Sequence, residues 1–200
     1  MDAEHDHPRY ATPVLLMVIA PLCGAIVGAM MTFINGRVSP DYFAIVMSWD
    51  WADAPSLAVL QGMIEGAPAG FAFALFLSIV VAASTRMRCA IGPALRALAA
   101  ALGIVVTAWM IGGVIGVTLS IIWPRLWGFF FIGVPPRVNL QRFAWVGGSI
   151  CGAYGGAAIG LIVASVMLHR QWRRTHGTPR AFAIVIKPLL PPPLRPVNRV

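Results

Sequence analysis

The sequence predicts an all-α integral membrane protein, a bundle of four transmembrane helices that pack through rows of small residues. Three observations predict this fold class. The 200-residue chain is 58% hydrophobic and only 11% charged, whereas a soluble domain is about a quarter charged. Four apolar stretches are each long enough to cross a bilayer, which takes about 20 helical residues. Small residues recur at every fourth position of these stretches, and this spacing keeps them on one helix face.

The apolar stretches predict transmembrane helices at about 14–34, 57–83, 94–123 and 143–168. They form one transmembrane domain, 1–168, which a basic, proline-rich tail follows at 169–200. Helices are the expected form because lipid offers the backbone no hydrogen-bond partners, and these runs are too long for barrel strands. The flank before the first stretch is acidic, which is unlike a signal peptide, so we expect this stretch to stay as a helix.

The rows of small residues predict where the helices meet. Small side chains let two backbones approach closely, and in lipid this packing replaces the hydrophobic drive that is available in water. We therefore expect glycine-zipper contacts between the helices. The glycines expected at these contacts are Gly24, Gly28, Gly62, Gly66, Gly70, Gly112, Gly116, Gly148, Gly152, Gly156 and Gly160.

The two halves of the chain share a pattern of small residues. A shift of 88 positions places Gly24 on Gly112, and a shift of 86 positions places Gly66 on Gly152. One interpretation is a duplicated helical hairpin. The other is chance, because glycine- and alanine-rich helices match one another easily. The sequence leaves both interpretations open.

The distribution of basic residues predicts the orientation in the membrane. With four spans, both tails and the middle loop share one side, which carries eleven Lys and Arg against four on the other. By the positive-inside rule both termini are expected to be cytoplasmic, in a bacterial inner (plasma) membrane. Arg170, Arg173 and Arg174 follow the last span, where they are expected to contact anionic lipid headgroups. This placement explains the net charge of +8 without a nucleic-acid partner.

The two loops on the outer side are aromatic rather than charged. Ser39, Pro40 and Asp41 form a helix-start pattern, so they predict a short helix lying in the outer membrane interface. Such loops are typical of an aromatic belt, although a site for a lipid or hydrophobic ligand is the alternative. The aromatic residues concerned are Tyr42, Phe43, Trp49, Trp123, Trp127 and Phe129 to Phe131.

Glu65 is the only acidic residue in any predicted span, and Gln61 lies one turn before it on the same face. Pro68 follows three residues later and removes a backbone hydrogen bond. An ionisable residue within a span is a functional hypothesis by default, so Glu65 and Gln61 form a candidate proton or ion site. The alternative is a structural ion pair at the outer interface. Its possible partners are Arg37, Arg125 and Arg142.

No pattern of residues predicts a catalytic, metal or cofactor site. The three cysteines are far apart, without a CxxC motif, and no histidine lies in a predicted span. We therefore expect a non-enzymatic structural or accessory bundle, without a cofactor or metal. The alternative is a small proton- or cation-coupled transporter or channel that uses Glu65. The expected partners are the lipid bilayer and either a second copy of the chain or another membrane protein.

Overall fold

The structure, a computed structural model, describes residues 11–50, 53–85, 89–125 and 138–176. In this part of the chain it is all-helical, with four long helices and one short helix. The long helices are α1 (Ala11–Val38), α3 (Ala54–Thr85), α4 (Ile91–Ile122) and α5 (Leu140–His176), and the short one is α2 (Pro40–Val46). All four long helices are long and apolar enough to cross a membrane, so the predicted multi-pass fold class is confirmed at this level.

The helices extend past most of the predicted span boundaries. The largest extension is in α5, which continues to His176 and so includes the first basic residues of the predicted tail. Basic side chains suit the last turns of a helix because they face its partial negative charge. The remaining tail, the histidines of the N-terminal flank, Trp127 and Phe129 to Phe131 lie outside the described residues.

The long helices form two hairpins whose backbones touch. α1 packs along α3 in the first hairpin, and α4 packs along α5 in the second. A Cβ added at Gly24 would collide with the carbonyl oxygen of Gly66 and would lie 3.2 Å from the Cα of Gly70. In the second hairpin, a Cβ at Gly116 would collide with the carbonyl oxygen of Ala144. At these positions any side chain would push the two helices apart.

The two hairpins make corresponding glycine contacts, and these contacts relate the second helix of each hairpin by a different shift from that of the sequence match. Gly24 meets Gly66 in the first hairpin, and Gly112 meets Gly148 in the second. The contacts therefore correspond at shifts of 88 positions for the first helix and 82 for the second, not 86. A row of small residues spaced by four matches itself again after one turn, so its pattern cannot fix the register.

Two apolar clusters join the hairpins near their ends. One contains side chains from all four long helices, among them Leu16, Leu77, Leu98 and Leu168. The other lies at the opposite end, where side chains of α2 meet those of α3 and α5. Between these clusters the hairpins contact each other far less closely than the two helices of each hairpin do.

The short helix α2 covers the second of these clusters. The Tyr42 ring lies 5.0 Å from that of Phe143 on α5, and Phe43 stacks on Trp49 at 5.8 Å. The predicted helix start is present, with Ser39 at the N-cap position, but its side chain makes no capping hydrogen bond. Tyr42 and Phe43 are buried, so their rings pack onto the bundle.

Candidate functional site

A cleft of about 170 Å³ lies between the two hairpins. All four long helices line it, mostly with glycine, alanine and larger apolar side chains. Its lining includes several of the glycines at which α1 meets α3. Glu65 is the one charged residue among the described residues that line the cleft.

Glu65 has two hydrogen-bond partners, one from each hairpin. The Nε2 of Gln61 donates to its Oε1, within α3. The hydroxyl of Tyr154 on α5 donates to its Oε2 at 3.4 Å. Glu65 and Tyr154 are exposed and both line the cleft, so they lie at an open side of it. The structure thus brings together the two residues that the sequence singled out, Glu65 and Gln61, and adds Tyr154.

Among the residues that the structure describes, Glu65 has no cationic partner. Within the described residues no Lys or Arg forms an ion pair with Glu65, although all three arginines considered for this role are described. The guanidinium of Arg37 lies instead over the ring of Phe33, 5.2 Å from its centroid. The carboxylate of Glu65 is therefore held by neutral donors.

A second polar pair joins the hairpins. The hydroxyl of Ser149 on α5 lies 3.2 Å from the Oδ1 of Asn35 on α1 and 2.9 Å from the carbonyl oxygen of Val146 in its own helix, so these two acceptors share its one proton. Asn35 and Ser149 are both buried. Asn35 also lines the cleft. Its side-chain Nδ2 is buried and has no hydrogen-bond partner within the part of the chain that the structure describes. An unsatisfied buried donor costs about 1–3 kcal/mol, so this N–H group would gain from a hydrogen-bond acceptor.

Trp109 supplies another such donor. It lies on α4, lines the cleft and is 5% exposed. Its ring meets that of Trp145 edge to face, with centroids 6.0 Å apart. The indole Nε1 is buried and has no partner among the described residues.

Tyr42 lies on α2, outside the long helices, but near enough to Glu65 and Tyr154 for their charges to affect its pKa. Burial raises the pKa of its hydroxyl to about 12, with further increases from the charges of Cys151, Glu65 and Tyr154. The neutral phenol is therefore the stable form of Tyr42.

Within the described residues, no group of three or more His, Cys, Asp and Glu side chains could hold a metal ion.

The remaining candidate residues lie away from the cleft. Arg170, Arg173 and Arg174 are exposed on the last turns of α5. Gly112, Gly116, Gly148 and Gly152 lie where α4 meets α5, and a Cβ on any of them would come within 3.2 Å of the opposite backbone. Gly156 and Gly160 face the same helix.

These features define a class of protein, a multi-pass helical membrane protein with an acidic residue in a cleft between two hairpins. No known protein family, curated protein or solved structure matches the chain.

Sequence reasoning found Glu65 and Gln61 but missed the other polar residues of the cleft. Tyr154 lies 89 positions from Glu65, and nothing in the spacing indicates that the two meet. Asn35 sits at the end of an apolar stretch, where a polar residue is ordinary. Trp109 resembles any packed aromatic residue. Their role depends on how the two hairpins are placed against each other.

Proposed function

We propose that this protein is a small proton- or cation-coupled transporter or channel in which Glu65 is the ion-binding residue. One observation carries the proposal: Glu65 is the charged residue of a cleft between the hairpins, where neutral donors rather than an arginine hold it. A structural carboxylate in a membrane is normally paired, because an uncompensated charge there is costly. An unpaired carboxylate beside an open cleft is suited to binding a proton or a cation.

The position of Glu65 along α3 supports this function. The candidate span Ser56–Ala83 has 28 residues, so it is about 42 Å long at about 1.5 Å per residue. If this span is centred in an apolar core of about 30 Å, Glu65 lies about 8 Å below the core boundary. At that depth a carboxylate needs a ligand or an aqueous path.

The arrangement of the hairpins provides a means of movement. Each hairpin is held together by direct backbone contacts, whereas the described residues of the two hairpins meet through the two end clusters and a few side-chain hydrogen bonds, including that of Thr12 on α1 to the carbonyl of Cys89 just before α4. We propose that the hairpins move as rigid units, since packed interfaces shift between discrete arrangements rather than deforming continuously. Such movement would open the cleft toward alternate sides.

A structural or accessory bundle is the second candidate function. The close approach of glycines within each hairpin favours it, and we propose that these rows form glycine zippers. The matching contacts of the two hairpins favour an origin by duplication. In this alternative the exposed apolar faces of the long helices would contact lipid, a second copy or another membrane protein.

We further propose that the protein lies in a bacterial inner membrane with both termini in the cytoplasm. The excess of basic residues on the side that holds both tails supports this orientation. The arginines at the end of α5 would then face the anionic cytoplasmic leaflet, where each basic residue contributes about 1 kcal/mol of attraction.

Carbodiimide labelling tests the ion-binding role of Glu65. Dicyclohexylcarbodiimide reacts with protonated carboxyl groups in apolar surroundings, and mass spectrometry locates the adduct. We expect labelling of Glu65 in the purified protein, slowed by an excess of sodium ions if sodium binds there. Glu65→Gln should abolish the adduct, and Asp41, which lies on α2, is the internal control. Labelling of Glu65 that is no faster than that of Asp41 would contradict the proposal.

Ion flux separates transport from a purely structural role. Wild-type protein and Glu65→Gln are reconstituted into liposomes that contain a proton- or sodium-sensitive dye, and a membrane potential is imposed. We expect ion entry above that of empty liposomes for the wild type, and at least about tenfold slower entry for the variant. Equal entry for the wild type, the variant and empty liposomes would favour the structural bundle.

A further inference from the structure

We propose that the cleft binds a hydrophobic organic cation, with an amine or quaternary ammonium group at Glu65 and an apolar body between the hairpins. This inference rests on the proposed function and names its substrate class. It follows from the charge of the cleft, its lining and its unused hydrogen-bond donors.

The charge of the cleft favours a ligand with one positive charge. Glu65 is the one charged group among the described lining residues, and its protein partners are the amide of Gln61 and the hydroxyl of Tyr154. Both partners donate to the carboxylate without neutralising it. A single cationic group on a ligand would supply the missing charge, and the attraction is stronger beside apolar walls than in bulk water.

The lining favours an organic cation over an inorganic one. Apart from glycine and alanine, most of the lining residues have large apolar or aromatic side chains, including Phe73, Leu102, Trp109 and Ile150. A metal cation that gives up its water needs about six oxygen ligands, and the described lining does not offer them. A quaternary ammonium group carries a diffuse charge that aromatic faces attract, so the same lining can accept it together with its apolar substituents.

Two unused donors indicate that the ligand also carries a hydrogen-bond acceptor. The Nδ2 of Asn35 and the Nε1 of Trp109 are buried, belong to residues that line the cleft, and have no partner among the described residues. Neither can bind a cation. A hydroxyl, ether or carbonyl oxygen on the ligand would satisfy at least one of them.

The volume of the cleft limits the apolar body. The cleft has a volume of about 170 Å³, and an engineered protein cavity of about 150 Å³ binds benzene. A group the size of one aromatic ring therefore fits. The exposed positions of Glu65 and Tyr154 leave room for the charged end at the open side of the cleft.

Binding of benzyltrimethylammonium to the purified full-length protein in a nonionic detergent tests the inference. Its neutral isostere, (2,2-dimethylpropyl)benzene, has the same shape but carries no charge. We expect wild-type protein, followed by calorimetry or tryptophan fluorescence, to bind the cation at least tenfold more tightly than the isostere. We expect Glu65→Gln to lose most of this preference. Asp41→Asn removes the same charge from α2, away from the cleft, and should leave binding unchanged.

The comparison of the two ligands on wild-type protein decides the question even if Glu65→Gln fails to fold. Equal binding of both ligands, or binding of neither, would overturn the inference. If cation-sensitive carbodiimide labelling of Glu65 persisted in that case, the ion-binding function would stand and only the substrate class would be wrong. Loss of the labelling as well would contradict both the ion-binding function and the proposed substrate class.

The same chemistry occurs in free amines and in lipid headgroups, and competition distinguishes the two sources. Dihexanoylphosphatidylcholine and dihexanoylphosphatidylethanolamine carry the cationic group on a lipid, and dihexanoylphosphatidylglycerol is the matched lipid without it. Displacement of benzyltrimethylammonium by the first two but not the third would assign the site to lipid headgroups. Displacement by none of them would assign it to free amines, and equal displacement by all three would contradict a site selective for cations.

Discussion

The hydroxyl of Tyr154 on α5 donates a 3.4 Å hydrogen bond to Glu65 on α3, 89 positions earlier in the chain. This bond crosses from one hairpin to the other beside the cleft, which both residues line. The carboxylate proposed to bind the ion is therefore also a contact between the two units proposed to move. Ligand binding at Glu65 would compete with this contact, which offers a direct way to couple binding to movement of the hairpins.

The contact between Tyr154 and Glu65 predicts an energetic coupling between the two residues. Polar contacts between membrane helices average about 0.6 kcal/mol, and the 3.4 Å length suggests a value no greater than this. Tyr154→Phe, Glu65→Gln and the double variant form a cycle, measured by denaturant unfolding in detergent micelles. Thr118 bonds only within its own helix, so Thr118→Val should show no coupling to Glu65→Gln. Full additivity of Tyr154→Phe and Glu65→Gln would contradict the prediction.

Neighbouring glycines in α5 predict opposite effects of the same substitution. A Cβ on Gly156 would lie 2.6 Å from the Cβ of Ala108 and 3.0 Å from the Cα of Val105, whereas a Cβ on Gly155 meets nothing within 4 Å. Gly156→Ala should destabilise the fold by about 1–3 kcal/mol through overpacking. Gly155→Ala should stabilise it by about 0.4–1 kcal/mol, because alanine favours the helix.

Thermal unfolding of the two variants in one detergent measures the difference. The two positions are adjacent in the same helix, so helix propensity and detergent effects are shared. Equal melting temperatures for Gly155→Ala and Gly156→Ala would show that the helices do not approach at Gly156 as closely as the structure indicates.

The four long helices could be predicted from the sequence because their signals are local. Length and hydropathy identify a span without reference to the rest of the chain, as 14–34 within α1 illustrates. The rows of glycines likewise indicated the faces on which the helices meet. The register between helices is not a local property. Gly66 and Gly70 both suit a contact with Gly24, and only the assembled hairpin shows that Gly24 meets them both.

The residues of the candidate site likewise differ in whether the sequence alone indicates them. Glu65 was predictable because an acid in an apolar stretch is rare, and Gln61 because it lies on the same helix face. The residues that complete the cleft, Asn35, Trp109 and Tyr154, come from three other helices. Their roles depend on contacts between the hairpins, which are few and leave no periodic pattern in the sequence.

The buried hydrogen bond between Ser149 and Asn35 predicts that removing the Ser149 hydroxyl lowers the free energy of unfolding. Ser149→Ala removes both the bond to the Oδ1 of Asn35 at 3.2 Å and the bond to the carbonyl of Val146 at 2.9 Å. It should cost about 0.6–2 kcal/mol, because the buried Oδ1 of Asn35 loses a donor. Ser165 lies on the same helix, but it bonds to the carbonyl of Leu161 in that helix, so Ser165→Ala should change stability little. Unfolding by denaturant compares the two variants. A larger loss for Ser165→Ala than for Ser149→Ala would contradict this account.

The raised pKa of Tyr42 predicts a loss of stability at high pH. Burial raises this pKa from 10.0 to about 12, so the folded protein holds the phenol proton more tightly than the unfolded chain does. The resulting stabilisation is complete below pH 10 and declines as the pH rises from 10 to 12. Melting temperatures measured across this range should fall, and the fall should be smaller for Tyr42→Phe. An identical slope for both proteins would show that Tyr42 is not responsible.

The proposed orientation predicts opposite labelling of two positions that it places on opposite sides of the membrane. Asp53 lies before α3, on the side that the positive-inside rule assigns to the exterior, and Arg174 lies near the end of α5, on the cytoplasmic side. Both are exposed. After replacement of Cys23, Cys89 and Cys151 by serine, single cysteines are introduced at positions 53 and 174. In intact cells an impermeant maleimide should label position 53, whereas position 174 should react only after lysis. The reverse pattern would place the termini outside. The arginines at the end of α5 would then be outside too, far from the anionic cytoplasmic leaflet that we propose they contact.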